Sequence, residues 1–171
     1  MDELILVEWA TDLDTSEVLK AASAISGSPT ASDLAEVARL VAELGAQVDV
    51  PRARASVTDD EPRALLGRTD AGPLLALRWY APGEVSTVHH HAWTVIFELE
   101  GTGAFERWVE DGDQGPSLSS TEHVDVGATV RIGDGELHRQ RAGEHGALEL
   151  VLIGDLSPDR PRVDVEPGAA R

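Results

Sequence analysis

The pattern of apolar and polar residues divides the chain into a helical first part and a β-rich remainder. Asp14 followed by Glu17 resembles a capping box, which predicts a first helix over about residues 14–26. Thr30 or Ser32 can cap a second helix, whose apolar face ends before Gly45. Residues at helical spacing form the apolar faces of the two helices, namely Val18, Leu19, Ala22 and Ile25 in the first and Leu34, Val37, Leu40, Val41 and Leu44 in the second.

From about residue 50 the pattern changes to short apolar runs separated by glycine, proline and aspartate. This arrangement is typical of an all-β sandwich or barrel. Eight short strands suit a jelly roll. The predicted strands are Leu74–Tyr80, Val85–His91, Thr94–Leu99, Ala104–Val109, Glu122–Val126, Thr129–Ile132, Glu136–Arg141 and Leu148–Ile153.

These patterns predict three segments in a chain of 171 residues, which is about the size of one domain. A helical arm occupies residues 1–50, a β-barrel occupies 51–156, and the tail over 157–171 is expected to be poorly ordered. The stretch 110–120, EDGDQGPSLSS, is a loop by its composition.

The composition restricts the chemistry that is available to the protein. There is no cysteine, which excludes a disulfide-stapled fold, thiolate metal ligands and a cysteine nucleophile. The net charge is −17, because 31 acidic residues stand against 14 basic ones, so a nucleic acid would be repelled. The acidic start lacks the features of a targeting signal, and no apolar run is long enough to span a bilayer. We therefore expect a cytoplasmic protein with no nucleic-acid or membrane partner.

Four of the six histidines lie at two places, in the run His89-His90-His91 and at His138. Successive side chains of a strand point to opposite faces, so His89 and His91 project together while His90 faces away. His138, from a distant strand, would complete a triad of neutral imidazoles that suits Zn, Fe, Ni or Cu. The two remaining histidines, His123 and His145, fall in or near loops and are expected at the surface.

Glycines around these histidines carry a resemblance to the cupins. Gly83 precedes His89 in the spacing G-x5-H-x-H, and the following strand, TVIFELEG, ends at Gly101. Downstream, Gly127-x5-Gly133-x-Gly135-x-x-His138 is similar to the second cupin motif, with a glycine where that motif usually has proline. Over roughly residues 72–154 the chain resembles both halves of a cupin. The implied fold is mainly β, a double-stranded β-helix or jelly-roll barrel, preceded here by two N-terminal α-helices.

The site resembles the three-histidine thiol dioxygenases, the cysteine and mercaptopropionate dioxygenase group. Most cupins have a metal-binding glutamate at the position of Thr94, so that ligand is missing. The similarity is greatest over 74–101 and includes Trp93. It implies Fe(II), a substrate thiolate, O2 and a sulfinate product, with Arg68 standing nearest to the arginine that holds the substrate carboxylate. As an alternative, Arg68 is a solvated loop residue.

The chain departs from that family on the last barrel strand. The family's Ser-x-His-x-Tyr network falls on Glu149, Val151 and Ile153, so the acid–base relay is absent. The resemblance places these three residues, with Arg68, Trp93 and Thr94, at substrate-contacting positions. A Cys–Tyr crosslink is also impossible, since there is no cysteine.

If Glu98 and Glu149 face the barrel interior, their carboxylates could take over part of the role of the missing acid–base network. Alternation along the strands puts Glu98 on the face of Thr94 and puts Glu149 on the face of Val151. A β-bulge after the histidines would instead leave Glu98 solvated, and the two alternatives are equally open; for Glu149 we favour solvent exposure. Inside the barrel, Glu98 could act as a base, and Gln140, on the face of His138, could donate a hydrogen bond.

Three functional hypotheses follow. The first is an Fe(II) dioxygenase acting on a small thiol- or carboxylate-bearing molecule. The second is a redox-neutral isomerase, lyase or cyclase that uses Zn, Ni or Mn, with Glu98 as the proton-transfer group. The third is a non-catalytic cupin that binds a small ligand. In each case the barrel edges of two copies could pair to form a homodimer.

Overall fold

The computed structural model describes residues 6–70, 72–112, 115–155 and 162–166 of the chain. A short 3-10 helix, Glu8–Asp12, and three α-helices come first: α1 Ser16–Ala24, α2 Ala31–Gly45 and α3 Val50–Ala55. Eight strands follow: β1 Arg63–Arg68, β2 Leu74–Tyr80, β3 Val88–His90, β4 Thr94–Val109, β5 Ser117–Asp125, β6 Thr129–Ile132, β7 His138–Ile153 and β8 Val163–Val165.

Local sequence explains where the helices begin. Thr30 caps α2, because its side chain accepts a hydrogen bond from the backbone of Asp33, whose carboxylate accepts one from the backbone of Thr30. Helix α3 was not predicted. It begins after Asp49, whose side chain caps the backbone of Arg52, and it has a proline in its first turn. Since α3 spans Val50–Ala55, the helical part of the chain extends a few residues past the predicted boundary at residue 50.

Two strands of 16 residues, β4 and β7, form the centre of the β-structure and pair antiparallel with each other. Strand β7 also pairs with β2 and β3, while β4 pairs with β5 and β6. Each long strand was predicted as two shorter ones. They stay continuous because register shifts after Glu98 and Gly101 let them bend without ending.

The two faces of β4 have different neighbours. Val95, Phe97 and Leu99 belong to one apolar core with residues of α1 and α2. Ile96, on the opposite face, packs with Phe105 inside the barrel. The helices therefore cover the outer face of the β-structure and share its core.

Within the tail 157–171, which was expected to be poorly ordered, residues 163–165 form a strand. Strand β8 pairs antiparallel with β3, with Asp164 opposite His89. Residues 157–161 and 167–171 lie outside the described part of the chain. The predicted loop 110–120 is also shorter than expected, because β5 begins at Ser117. Across the described ranges, no helix has both the length and the apolar character needed to cross a membrane.

Candidate metal centre and barrel cavity

Strands β3 and β7 bring the three histidines together. His89 and His138 are opposite each other in the β3–β7 ladder, with ring centroids 4.3 Å apart. His91 follows the end of β3, and its ring lies 5.3 Å from that of His89 and 4.8 Å from that of His138. One ring nitrogen from each histidine lies within 4.8 Å of the other two. The predicted triad is thus assembled in space.

Backbone carbonyls fix the tautomer of all three rings. The Nδ1 atoms of His89 and His138 lie 2.8 Å from the carbonyl oxygens of Thr87 and Glu136, and Nδ1 of His91 lies 2.6 Å from that of Ala92. A carbonyl only accepts, so each Nδ1–H donates and each Nε2 keeps its lone pair. Metal-binding histidines in proteins are oriented by hydrogen bonds of this kind.

The three imidazoles are neutral near pH 7. Burial lowers the pKa of His89 to about 4 and that of His138 to about 3, and it also lowers the pKa of His91. The positive charge of Arg162 acts in the same direction on all three. Neutral imidazole is the ligand form of histidine, so protons do not compete for the site at this pH.

The donor set fits a divalent transition metal. Three buried or half-buried lone pairs with fixed tautomers suit Zn, Fe, Ni or Cu. In the described residues no carboxylate joins the histidine cluster. At the position of the usual cupin glutamate, the Thr94 hydroxyl donates to the carbonyl of Ala92 and lies 3.3 Å from Nδ1 of His91. Thr94 therefore supports the second histidine instead of offering a charged ligand.

A small cavity, partly open to solvent and with room for about one water-sized group, lies inside the barrel. Glu98, Glu149, Gln140, Tyr80 and Phe105 are among the residues that line it. Phe105 also stacks on His138, with ring centroids 5.4 Å apart, and so connects the cavity wall to the histidines. The Tyr80 hydroxyl donates to Gln140 Oε1 over 2.6 Å, and Gln140 Nε2 donates to Glu149 over 2.8 Å.

Both carboxylates point into this cavity. Glu98 and Glu149 are opposite each other in the β4–β7 ladder and are only 1% and 5% exposed. The expectation that Glu149 is solvated is wrong, and the open question for Glu98 is decided in favour of the interior. Burial raises the pKa of Glu98 to about 9 and that of Glu149 to about 8. The negative charge of Glu149 adds to the rise in the pKa of Glu98.

The resemblance placed several residues at the site that lie elsewhere. Trp93 packs in the core beneath the helices, because it shares a face with Val95. Ile153 packs against Leu65 and Leu74. Val151 does face the barrel interior, where it packs beside Ile96. Arg68, Trp93 and Ile153 do not line the cavity in the described structure.

Arg68 is exposed at the end of β1, as the solvated alternative expected. His123 and His145 are also exposed, as predicted.

Sequence reasoning missed two polar residues near the site. Asp164 pairs with His89, so Arg162, two positions earlier, lies on the same side of the β3–β8 ladder. Its guanidinium donates to the Thr87 hydroxyl over 2.7 Å and to Asp164 over 3.0 Å. The alternation of apolar and polar residues over Val163–Val165 is the sequence signal that could have predicted this strand and, with it, the position of Arg162. Tyr80 was the other omission, although β2 was predicted with the correct bounds and places it on the inner face.

No family model and no curated protein matches the sequence. The similarity to known proteins is therefore a similarity to solved structures. The DMSP lyase DddQ from Ruegeria pomeroyi DSS-3 is 21% identical, with a TM-score of 0.50 over 67% of this chain and 58% of the lyase. An oxalate oxidase is 22% identical, with a TM-score of 0.48 over 67% of this chain and 64% of the oxidase. A cupin superfamily protein from Desulfitobacterium hafniense is 15% identical, with a TM-score of 0.42 over 53% of this chain and 73% of that protein.

The chain therefore spans little more than half of the lyase, and at these identities the likeness concerns the fold alone. The antiparallel barrel, its glycine-containing bends and the helices before it agree with that likeness. The fold of this chain is mainly β, an antiparallel barrel preceded by α-helices, and is similar to that of the DMSP lyase DddQ, with a three-histidine cluster between two of its strands.

Proposed function

We propose that the protein is a metal-dependent enzyme, an Fe(II) dioxygenase acting on a small thiol- or carboxylate-bearing molecule. The observation that carries this proposal is the convergence of three neutral imidazoles in a cluster that no carboxylate of the described residues joins as a ligand. When bound, the metal would keep its full positive charge and supply open positions for a substrate anion and O2. His89, His91 and His138 would hold it through Nε2.

Arg162 is better placed than Arg68 to bind an anionic substrate at the histidine cluster. Its positive charge acts on all three histidines, and the guanidinium is held in place by Thr87 and Asp164. A planar guanidinium is suited to a carboxylate group. We propose that Arg162 binds the anionic group of the substrate while Gln140, fixed between Tyr80 and Glu149, orients its other end.

Oxygen uptake by the iron-loaded chain tests this proposal. Cysteine and 3-mercaptopropionate are suitable first substrates, and a dioxygenase would consume one O2 for each thiol converted to a sulfinate. We expect uptake with at least one of them, its loss in His138→Ala and a raised KM in Arg162→Gln. A chain that binds iron but takes up no O2 with these thiols or with small carboxylic acids would contradict the proposal.

One observation favours a second candidate, a redox-neutral isomerase, lyase or cyclase that uses Zn, Ni or Mn. Burial keeps Glu98 protonated at pH 7, so its carboxyl group could give a proton to a substrate in the cavity and take it back. An assay without oxygen separates the candidates. Turnover that persists under anaerobic conditions with Zn, and that is lost in Glu98→Gln, would favour this alternative over the dioxygenase.

A further inference from the structure

Two carboxyl groups in the wall of the cavity each have an oxygen without a hydrogen-bond partner among the described residues. Glu98 Oε1 and Glu149 Oε2 are both buried and make no hydrogen bond among the described residues. They belong to side chains at paired positions of β4 and β7 and lie in the wall of one cavity. Buried polar atoms are normally satisfied, so two orphaned acceptors in one small space indicate that something binds between them.

The charged side chains nearest to this pair are engaged elsewhere. Arg78 is opposite Glu149 in the β2–β7 ladder and its positive charge acts on Glu149, but its Nη2 donates to Glu84 over 2.9 Å, its Nε has no hydrogen-bond partner, and it forms no ion pair with Glu149 among the described residues. Arg141, which also lines the cavity, is exposed and lies 3.5 Å from Glu106. Since no ion pair in the described structure neutralises Glu98 or Glu149, a cation that entered the cavity would relieve the cost of burying them.

Size and hydrogen-bonding capacity narrow the class of this cation. The inner space has room for about one water-sized group, which excludes a trimethylammonium group. A divalent metal such as Ca²⁺ or Mg²⁺ would need about six oxygen ligands, whereas the pair offers two unused ones and Gln140 turns its amide nitrogen toward Glu149. A primary ammonium group is small and only donates hydrogen bonds, as Lys does.

We infer that Glu98 and Glu149 form a binding position for a primary ammonium group inside the barrel. Two carboxyl oxygens accept from the ammonium, and the aromatic rings of Tyr80 and Phe105 form part of the surrounding wall. In the free protein the pair holds protons instead, in agreement with the raised pKa of both groups, and one proton leaves to solvent when the ammonium enters, so that one carboxylate balances its charge.

Methylammonium chloride is the probe that tests the site, with methanol as a neutral probe and sodium chloride matching the ionic strength. Binding to the metal-free full chain is followed by broadening of the methyl NMR signal. We expect saturable binding of methylammonium to wild type and to Glu144→Gln, which removes an exposed charge outside the cavity. Glu98→Gln and Glu149→Gln should each bind at least about 10-fold more weakly. Equal binding by all four chains, or no saturable binding to wild type, would overturn the inference.

A measurement on wild type alone guards against a variant that does not fold. The infrared carbonyl band of protonated carboxylic acids should lose intensity as methylammonium saturates the chain, because one carboxyl group of the buried pair ionises. An unchanged band at saturation would overturn the inference. Metal content and O2 uptake are measured separately, so a chain that binds methylammonium but no metal keeps the ammonium site and contradicts the proposed function.

Discussion

His89 and His138 come from strands that begin about 50 positions apart in the chain and stand directly opposite each other in the β3–β7 ladder. Each ring donates through Nδ1 to the carbonyl oxygen two residues before it, of Thr87 and Glu136. The same local arrangement on both strands therefore turns both Nε2 atoms toward a common point. Register and backbone hydrogen bonds, together, make the site rigid before any metal arrives.

The buried carboxylates should make stability depend on pH. The pKa of Glu149 is raised from 4.5 to about 8, so the folded chain binds more protons than the unfolded chain between these values, and the free energy of unfolding falls as pH rises through that interval. Glu149→Gln removes this loss. We expect it to resemble wild type in stability near pH 5 and to exceed it near pH 9 by more than about 1.4 kcal/mol, the equivalent of one pKa unit.

Denaturant unfolding of both chains across this range provides the measurement. Glu144→Gln is the matched control, since Glu144 is exposed and should show a gap to wild type that does not change with pH. A constant difference between Glu149→Gln and wild type from pH 5 to pH 9 would mean that Glu149 is ionised in the folded chain throughout.

The chain formed by Tyr80, Gln140 and Glu149 should stabilise the barrel interior. Gln140→Met keeps the volume of the side chain but leaves the Tyr80 hydroxyl and the second oxygen of Glu149 without partners. We expect a loss of about 2–4 kcal/mol in the free energy of unfolding, because stranded buried groups are costly. Tyr80→Phe strands one group instead of two, the acceptor Gln140 Oε1, and should cost less, about 1–2 kcal/mol. If the two variants were equally stable, Gln140 would have no bridging role.

Two glycines with similar backbone angles should differ in their tolerance of a side chain. Gly101 and Gly127 have φ of 89° and 85°, so alanine is strained at both, by roughly 1–2 kcal/mol. At Gly101 the added Cβ would also overlap the carbonyl of Gly146 on β7, whereas at Gly127 it meets open space. Gly101→Ala should therefore destabilise the chain more than Gly127→Ala in thermal unfolding. Equal melting temperatures would show that β4 and β7 can separate at this bend at no cost.

Local patterns were sufficient for much of the fold. Strands β2 and β6 have the predicted bounds, and α1 and α2 lie where helical spacing placed them. In each of these elements the residue pattern within the segment is enough to predict it. Strand β8 is only three residues long and is ordered by pairing with β3, a partner more than 70 positions away. No local signal distinguishes such a segment from a loop.

Alternation along strands also predicted more of the site than resemblance did. It placed His89 with His91 and Glu98 on the face of Thr94, and it would have placed Trp93 under the helices with Val95, where the structure has it. Glu149 was misjudged because a charged residue is usually exposed. Buried Glu149 accepts a hydrogen bond from Gln140, nine residues earlier on the same bent strand β7, whose course the sequence does not specify.

Metal content is the most direct measurement of the three-histidine centre. The chain, carrying no histidine tag, is incubated with Fe(II) under anaerobic conditions or with Zn(II), freed of unbound metal and submitted to elemental analysis. His138→Ala is compared with His145→Ala, which alters an exposed histidine. We expect about one metal ion per chain for wild type and His145→Ala and little or none for His138→Ala. Less than about half an ion per wild-type chain, or equal retention by His138→Ala, would contradict the metal centre.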